Sequence, residues 1–103
     1  MKNNFYDRKN DILSLHNGFS KNEKFNTNIE VGNIIVDLSN KNKVIGVEIM
    51  DATDVFTFSE LENFSCMDFE ASINGNWINI KIIMNKLSEK TISIPIKAEA
   101  IIN

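Results

Sequence analysis

Alternation of apolar and polar residues with a period of two governs most of this chain, and it closes most routes to a helical fold. Across residues 67–84, Met67, Phe69, Ala71, Ile73, Ile78, Ile80, Ile82 and Met84 fall on one side. Asp68, Glu70, Ser72, Trp77, Asn79, Lys81 and Ile83 fall on the other. Successive strand side chains point to opposite faces, so this pattern buries one face of a hairpin and wets the other. Asn74-Gly75 stands between the two runs. That dipeptide favours a two-residue type I′ reversal, because both central residues need positive φ. Such a turn predicts Ser72 opposite Trp77, Phe69 opposite Ile80, and an ion pair between Asp68 and Lys81.

The same period recurs elsewhere. Ile92, Ile94 and Ile96 alternate within residues 91–97, which predicts a strand with these isoleucines inward. Pro95 has no N–H to give to a ladder, so this strand is expected at an edge. Ile101 and Ile102 would be costly in water, so the C-terminal tail is expected to dock. Residues 11–16 read as a short strand with Leu13 and Leu15 on one face. Residues 29–38 and 43–51 read as a hairpin. A two-residue loop at Asn40-Lys41 places Ile34, Val36 and Leu38 on the same face as Ile45, Val47 and Ile49. A three-residue loop instead puts Asn42 in a left-handed position and moves Gly46 and Glu48 beside Val36 and Ile34. A one-residue slip reverses every side chain, and burial favours the first register.

Residues 17–28 form a long polar stretch, read as a loop whose Phe19 and Phe25 tuck onto the core edge; a binding loop is the sharper alternative. Ser59 followed by Glu62 matches a capping box and predicts a short helix near 59–64, with Phe56, Leu61 and Phe64 as its apolar stripe. Asp54 is a second possible N-cap. Together these elements predict an α+β fold: antiparallel β-hairpins forming one mainly-β sheet, with one short helix between the two halves. At 103 residues the chain suits a single domain, residues 1–103, around one core.

Composition narrows the function classes. The net charge is −3 with a single arginine, Arg8, and dispersed lysines, so no nucleic-acid partner is expected. No apolar run approaches the roughly 18 residues of a membrane helix. Met1 to Asp11 is polar, so a cytoplasmic location and no membrane partner are expected. Cys66 is the only cysteine and reads as a small hydrophobe; by itself it builds neither a disulfide nor a zinc site. Gly18, Gly32, Gly46 and Gly75 are dispersed and match neither a P-loop nor a dinucleotide fingerprint, so no cofactor is expected. Gly46, inside a strand, reads as a bulge or a close backbone approach.

Three stretches resemble the YuzE-like family, catalogued as domain of unknown function 2283. Tyr6-Asp7 followed by Asp11-Ile12-Leu13 looks like the family's opening Tyr-Asp, acidic spacer and short apolar strand. Val36-Asp37-Leu38 resembles its valine–aspartate–aromatic strand end. Gly46-Val47-Glu48-Ile49-Met50-Asp51-Ala52 resembles its Gly-Ile-Glu-Ile-Leu-Asp-Ala segment. Asn42 stands where the family usually has Gly, and Leu38 where it often has Tyr. The likeness divides the chain into a YuzE-like half, residues 5–56, and residues 57–103, the helix plus C-terminal antiparallel strands. It implies a small α+β fold without an established activity, so no catalytic residue is carried over. Members look like partners of small toxins in some genomic settings, which implies an antitoxin-like reading.

The acidic residues Asp37, Glu48, Asp51 and Asp54 are the nearest approach to a metal site. Hard cations want several oxygen ligands, and Asp37, Glu48 and Asp51 are the weak candidates for a metal-dependent hydrolase. Glu48 and Asp51 point oppositely from a regular strand. His16 is the only histidine; Ser14 shares its strand face but lies about 7 Å away, beyond a hydrogen bond. A surface or edge histidine is the plainer reading. Trp77 and Ile83, on the otherwise polar face of the Asn-Gly hairpin, and Ile94 and Ile96, on the edge strand, are candidates for an interface. The favoured expectation is a non-catalytic interaction or assembly module that forms a homo-oligomer or pairs with another small protein.

Overall fold

The structure, a computed structural model, describes residues 2–85 and 88–95. Eight strands follow in order: β1 (Phe5–Asp7), β2 (Ile12–His16), β3 (Phe25–Val31), β4 (Ile34–Ser39), β5 (Val44–Met50), β6 (Asp68–Asn74), β7 (Trp77–Asn85) and β8 (Ser88–Pro95). Between β5 and β6 lie helix α1 (Phe58–Glu62) and two short 3₁₀ turns, Ala52–Asp54 and Phe64–Cys66. The molecule is thus mostly antiparallel sheet, and the α+β description holds only loosely.

The expected single sheet is two sheets. One has the order β1-β2-β5-β4-β3 and the other β6-β7-β8. Each is apolar on one face, and neither can leave that face in water. The first contributes Tyr6, Leu13, Leu15, Ile29, Val36, Val47 and Ile49; the second contributes Phe69, Ile78, Ile80, Ile82, Met84 and Ile94. These form one cluster, closed by Ala52, Phe56, Leu61 and Met67 from the connection between them. Each fully buried Val, Leu or Ile contributes roughly 1.5–3 kcal/mol. Stacking satisfies both faces at once, as extending a single sheet cannot.

Two registers differ from expectation. In the β6–β7 hairpin the residues opposite one another are Phe69 and Ile82, Ala71 and Ile80, Ile73 and Ile78, and Asn74 and Trp77. The loop is therefore Gly75-Asn76, with Gly75 at φ 59°. Glycine at the first central position suits a type II′ reversal, and it displaces the expected Asn74-Gly75 turn. The slip is two residues, so both faces keep their predicted membership. The ion pair changes: Lys81 lies 3.4 Å from Glu70, while Asp68 pairs with Lys2.

In the β4–β5 hairpin, Asn42 is left-handed at φ 59°. The Ser39 N–H donates to Lys43 O at 2.9 Å across a three-residue reversal, rather than the two-residue loop preferred for burial. Even so, Val36 faces Val47 and Ile34 faces Ile49. A bulge reconciles the two: Asp37 pairs with Gly46 but Leu38 with Val44, leaving Ile45 as the extra residue.

The last third of the polar stretch at 17–28 is strand, because β3 begins at Phe25; the chain then turns back through Gly32 and Asn33. Phe19 and Phe25 stay exposed instead of tucking in. The helix starts earlier than expected. Thr57 is its N-cap and accepts from the Glu60 N–H, while Glu60 returns a bond to the Thr57 N–H at 2.8 Å. Ser59–Glu62 is thus not the capping box, and Asp54 does not cap. The edge position of the Pro95 strand is as expected. Docking of the C-terminal tail lies outside the described residues.

Candidate functional site

The outer face of the five-stranded sheet brings His16, Gly46 and Asp37 into one row across β2, β5 and β4. Gly46 makes the row possible. A Cβ there would sit 3.0 Å from His16 Cδ2 and 3.1 Å from Asp37 Oδ2, so both side chains lean into the space a larger residue would fill. The Gly18 N–H donates to His16 Nδ1 at 2.8 Å. A nitrogen that accepts a hydrogen bond carries no proton, so the neutral ring holds its proton on Nε2. Phe19 packs edge-on against the imidazole, with centroids 5.2 Å apart. Burial pushes the Asp37 carboxyl above its ordinary value, and the neighbouring His16 opposes that shift.

The row sets a carboxyl and an imidazole of fixed tautomer on either side of Gly46. It lacks a nucleophile. Ser14 lies along β2 from His16 and turns its hydroxyl toward Glu48 Oε1, at 3.4 Å. His16, expected as a surface or edge residue, is half-buried and oriented on both sides. The signal for this row was Gly46 among branched residues together with an acidic Asp37, but the bulge hid the register that joins them.

The three weak metal candidates do not converge. Asp37 is opposite Gly46, and Glu48 is opposite Ile35 and Ser14. Asp51 lies beyond the end of β5, about 16 Å along the chain from Gly46 at strand rise, in a left-handed conformation at φ 53°. Among the described residues no group of three or more His, Cys, Asp or Glu is placed to hold a metal ion.

The interface candidates separate. Trp77 is 49% exposed, Ile83 is half-buried on the outer face of the second sheet, and Ile94 is 2% exposed within the core. Ile94 therefore offers no surface. Ile96 lies outside the described residues. Ile73, expected on the buried face with Phe69 and Ile78, is instead 40% exposed because the sheet ends there. Trp77 and Ile73 belong to opposite faces of the hairpin tip, which is apolar on both sides. Phe5 and Phe58 are also exposed; Phe58 lines a notch of about 160 Å³ with Tyr6, Arg8, Leu61, Glu62 and Phe64, and Phe5 packs edge-on against Phe64. Cys66 is exposed rather than a core hydrophobe.

Other polar clusters have structural work. Asp11, left-handed at φ 56°, accepts from the Tyr6 hydroxyl and from the Thr53 hydroxyl, each at 2.6 Å. This ties the β1–β2 turn to the 3₁₀ turn after β5, and the Thr53 and Tyr6 bonds hold the Asp11 carboxyl below its ordinary value. Glu23 accepts from the Ser20 N–H and from the buried Ser39 hydroxyl, which lowers its pKa to about 2.

Residues 5–52 match the family described as a protein of unknown function, DUF2283. That segment runs from the start of β1 to Ala52, so it spans the five-stranded sheet and stops short of α1. A protein of Methanosarcina mazei named "Putative hypoxanthine phosphoribosyltransferase" is similar, at 27% identity over 111 residues, covering 93% of this chain and 88% of that protein. No solved structure matches the chain.

Proposed function

We propose that this chain is a non-catalytic interaction module that associates with a second copy of itself through the tip of the β6–β7 hairpin. The observation that carries the reading is the pairing of Trp77 and Ile73, both substantially exposed, on opposite faces of one reversal. Aromatic anchors are enriched at the centres of protein interfaces, and a two-sided apolar tip can insert rather than merely touch. Trp77 is the only tryptophan, so it reports its own environment. Sedimentation equilibrium across a wide concentration range tests the reading. A dimer is expected to dissociate on dilution, with Trp77 emission moving to longer wavelength as it does. Trp77→Ser combined with Ile73→Ser is expected to hold the chain monomeric. A wild-type monomer at the highest concentration, with emission unchanged throughout, would overturn self-association.

An antitoxin-like partnership with a small toxin is the alternative from another class, motivated by the family likeness of residues 5–52. Co-purification of a small nuclease with the tagged chain from its native cell separates the two. The name of the similar protein suggests a third reading, phosphoribosyl transfer. Phosphate cradles gather backbone N–H groups in glycine-rich loops, whereas the four glycines here lie in four separate places along the chain. Conversion of hypoxanthine in the presence of a phosphoribosyl donor and Mg²⁺ would favour it. The metal-dependent hydrolase has the least support, because Asp37, Glu48 and Asp51 do not share a site.

A further inference from the structure

The chain contains two Asn-Gly dipeptides, Asn17-Gly18 and Asn74-Gly75. In such a dipeptide the glycine nitrogen can attack the asparagine side-chain carbonyl, since no side chain on glycine obstructs the approach. We propose that Asn74 is a site of spontaneous deamidation and isoaspartate formation in the native protein, while the fold protects Asn17. In the reaction the Gly75 nitrogen loses its proton and bonds to Asn74 Cγ. The Cγ–Nδ2 bond breaks, and ammonia leaves with that proton. Water then opens the cyclic imide at either carbonyl, giving Asp or isoaspartate at position 74.

The two sites differ in what must be undone first. At position 74 the carboxamide is exposed and, among the described residues, held by a 3.2 Å bond to Ser72 Oγ, itself exposed. Gly75 has open space around it, and a Cβ there would meet nothing within 4 Å. The Asn74–Trp77 pair is the last rung before the reversal, and hairpin tips open at the low end of local stability.

At position 17 three bonds converge. Asn17 is exposed too, but its N–H donates to Ile45 O at 2.9 Å and its carboxamide reaches Phe69 O at 3.4 Å across the gap between the sheets. The Gly18 N–H donates to His16 Nδ1 at 2.8 Å. Attack by the Gly18 nitrogen on the Asn17 side chain has these bonds to give up first.

Modification at Asn74 has a structural consequence. Isoaspartate inserts a methylene into the main chain one residue before the reversal, and either product puts a carboxylate beside exposed Trp77. The inference stands on the covalent geometry of the turn and does not rest on the self-association reading.

The test is prolonged incubation of the full chain in mildly alkaline buffer at low protein concentration. Peptide mass mapping and enzymatic isoaspartyl methylation then read each site. In the folded chain Asn74 is expected to react roughly tenfold or more faster than Asn17, because its opening needs only the tip and not release from Ile45, Phe69 and His16. In denaturant the two rates are expected to converge. Asn74→Ser is expected to remove the native-state signal. Reaction first at Asn17, reaction at neither site, or the same preference in denaturant would each overturn the proposal.

Discussion

Gly46 carries more of the design of the first sheet than any side chain around it. Its missing Cβ admits His16 and Asp37 to one space, at 3.0 and 3.1 Å from where that carbon would lie. Gly46→Ala is expected to push both outward and cost about 1–3 kcal/mol, the usual range for overpacking. Chemical denaturation measures the cost, and loss of the Gly18 amide's protection from exchange would show that His16 has moved. Asp37 gives a pH-dependent counterpart. Its carboxyl titrates above the ordinary value because burial disfavours the charge. The native state therefore binds more protons than the unfolded state between the two pKa values, and stability falls as pH rises through that window. Asp37→Asn is expected to leave stability nearly unchanged in acid and to raise it at neutral pH. A gain of equal size at both pH values would mean that the buried charge is not the cause.

At the scale of elements, the small helix is a clean case of local chemistry choosing a boundary. Thr57 and Glu60 exchange bonds across the first turn, and Ser59 lies inside the helix. Thr57→Ala is expected to cost about 1 kcal/mol, as lost caps do, while Ser59→Ala costs little or nothing. Paired thermal melts decide between them, and a larger loss at Ser59 would refute the assignment. The same contrast explains what was legible in the sequence. The faces of β6 and β7 were readable because a period of two is preserved when a hairpin slips by two residues. The loop itself was not, because Asn74-Gly75-Asn76 offers two acceptable reversals, both with Gly75 at positive φ, and only packing decides which asparagine joins it in the turn. Between β4 and β5, the left-handed Asn42 and the same-face sorting of Val36 with Val47 looked mutually exclusive. The bulge at Ile45 lets both hold, and a bulge leaves no mark in an apolar pattern. β3 was hidden because Asn26, Thr27 and Asn28 read as loop, while residues 29–38, expected as one strand, divide at Gly32 and Asn33 into the end of β3 and the strand β4 that pairs with it. The His16–Asp37 row was illegible for the same reason as the bulge that creates it.

At the scale of the whole molecule, the family-matching segment is a sheet with one apolar face, and the remainder of the chain is its cover. Leu13, Leu15, Val36, Val47 and Ile49 from the first sheet share a cluster with Ile78, Ile80 and Ile82 from the second. A common core should make the two sheets unfold as one unit. The chain supplies its own reporters: Tyr6, its only tyrosine, is in the first sheet, and Trp77, its only tryptophan, is in the second. In a denaturant titration, Tyr6 ring resonances and Trp77 fluorescence are expected to share one midpoint. Ile80 has no solvent exposure, so Ile80→Ala is expected to cost about 2–5 kcal/mol through lost contacts and the cavity left behind. That loss should lower both midpoints together, although the substitution lies only in the second sheet. A shift seen by Trp77 alone would mean that the five-stranded sheet stands without its cover, and the apolar cluster between the sheets would then contribute little to holding the first one folded.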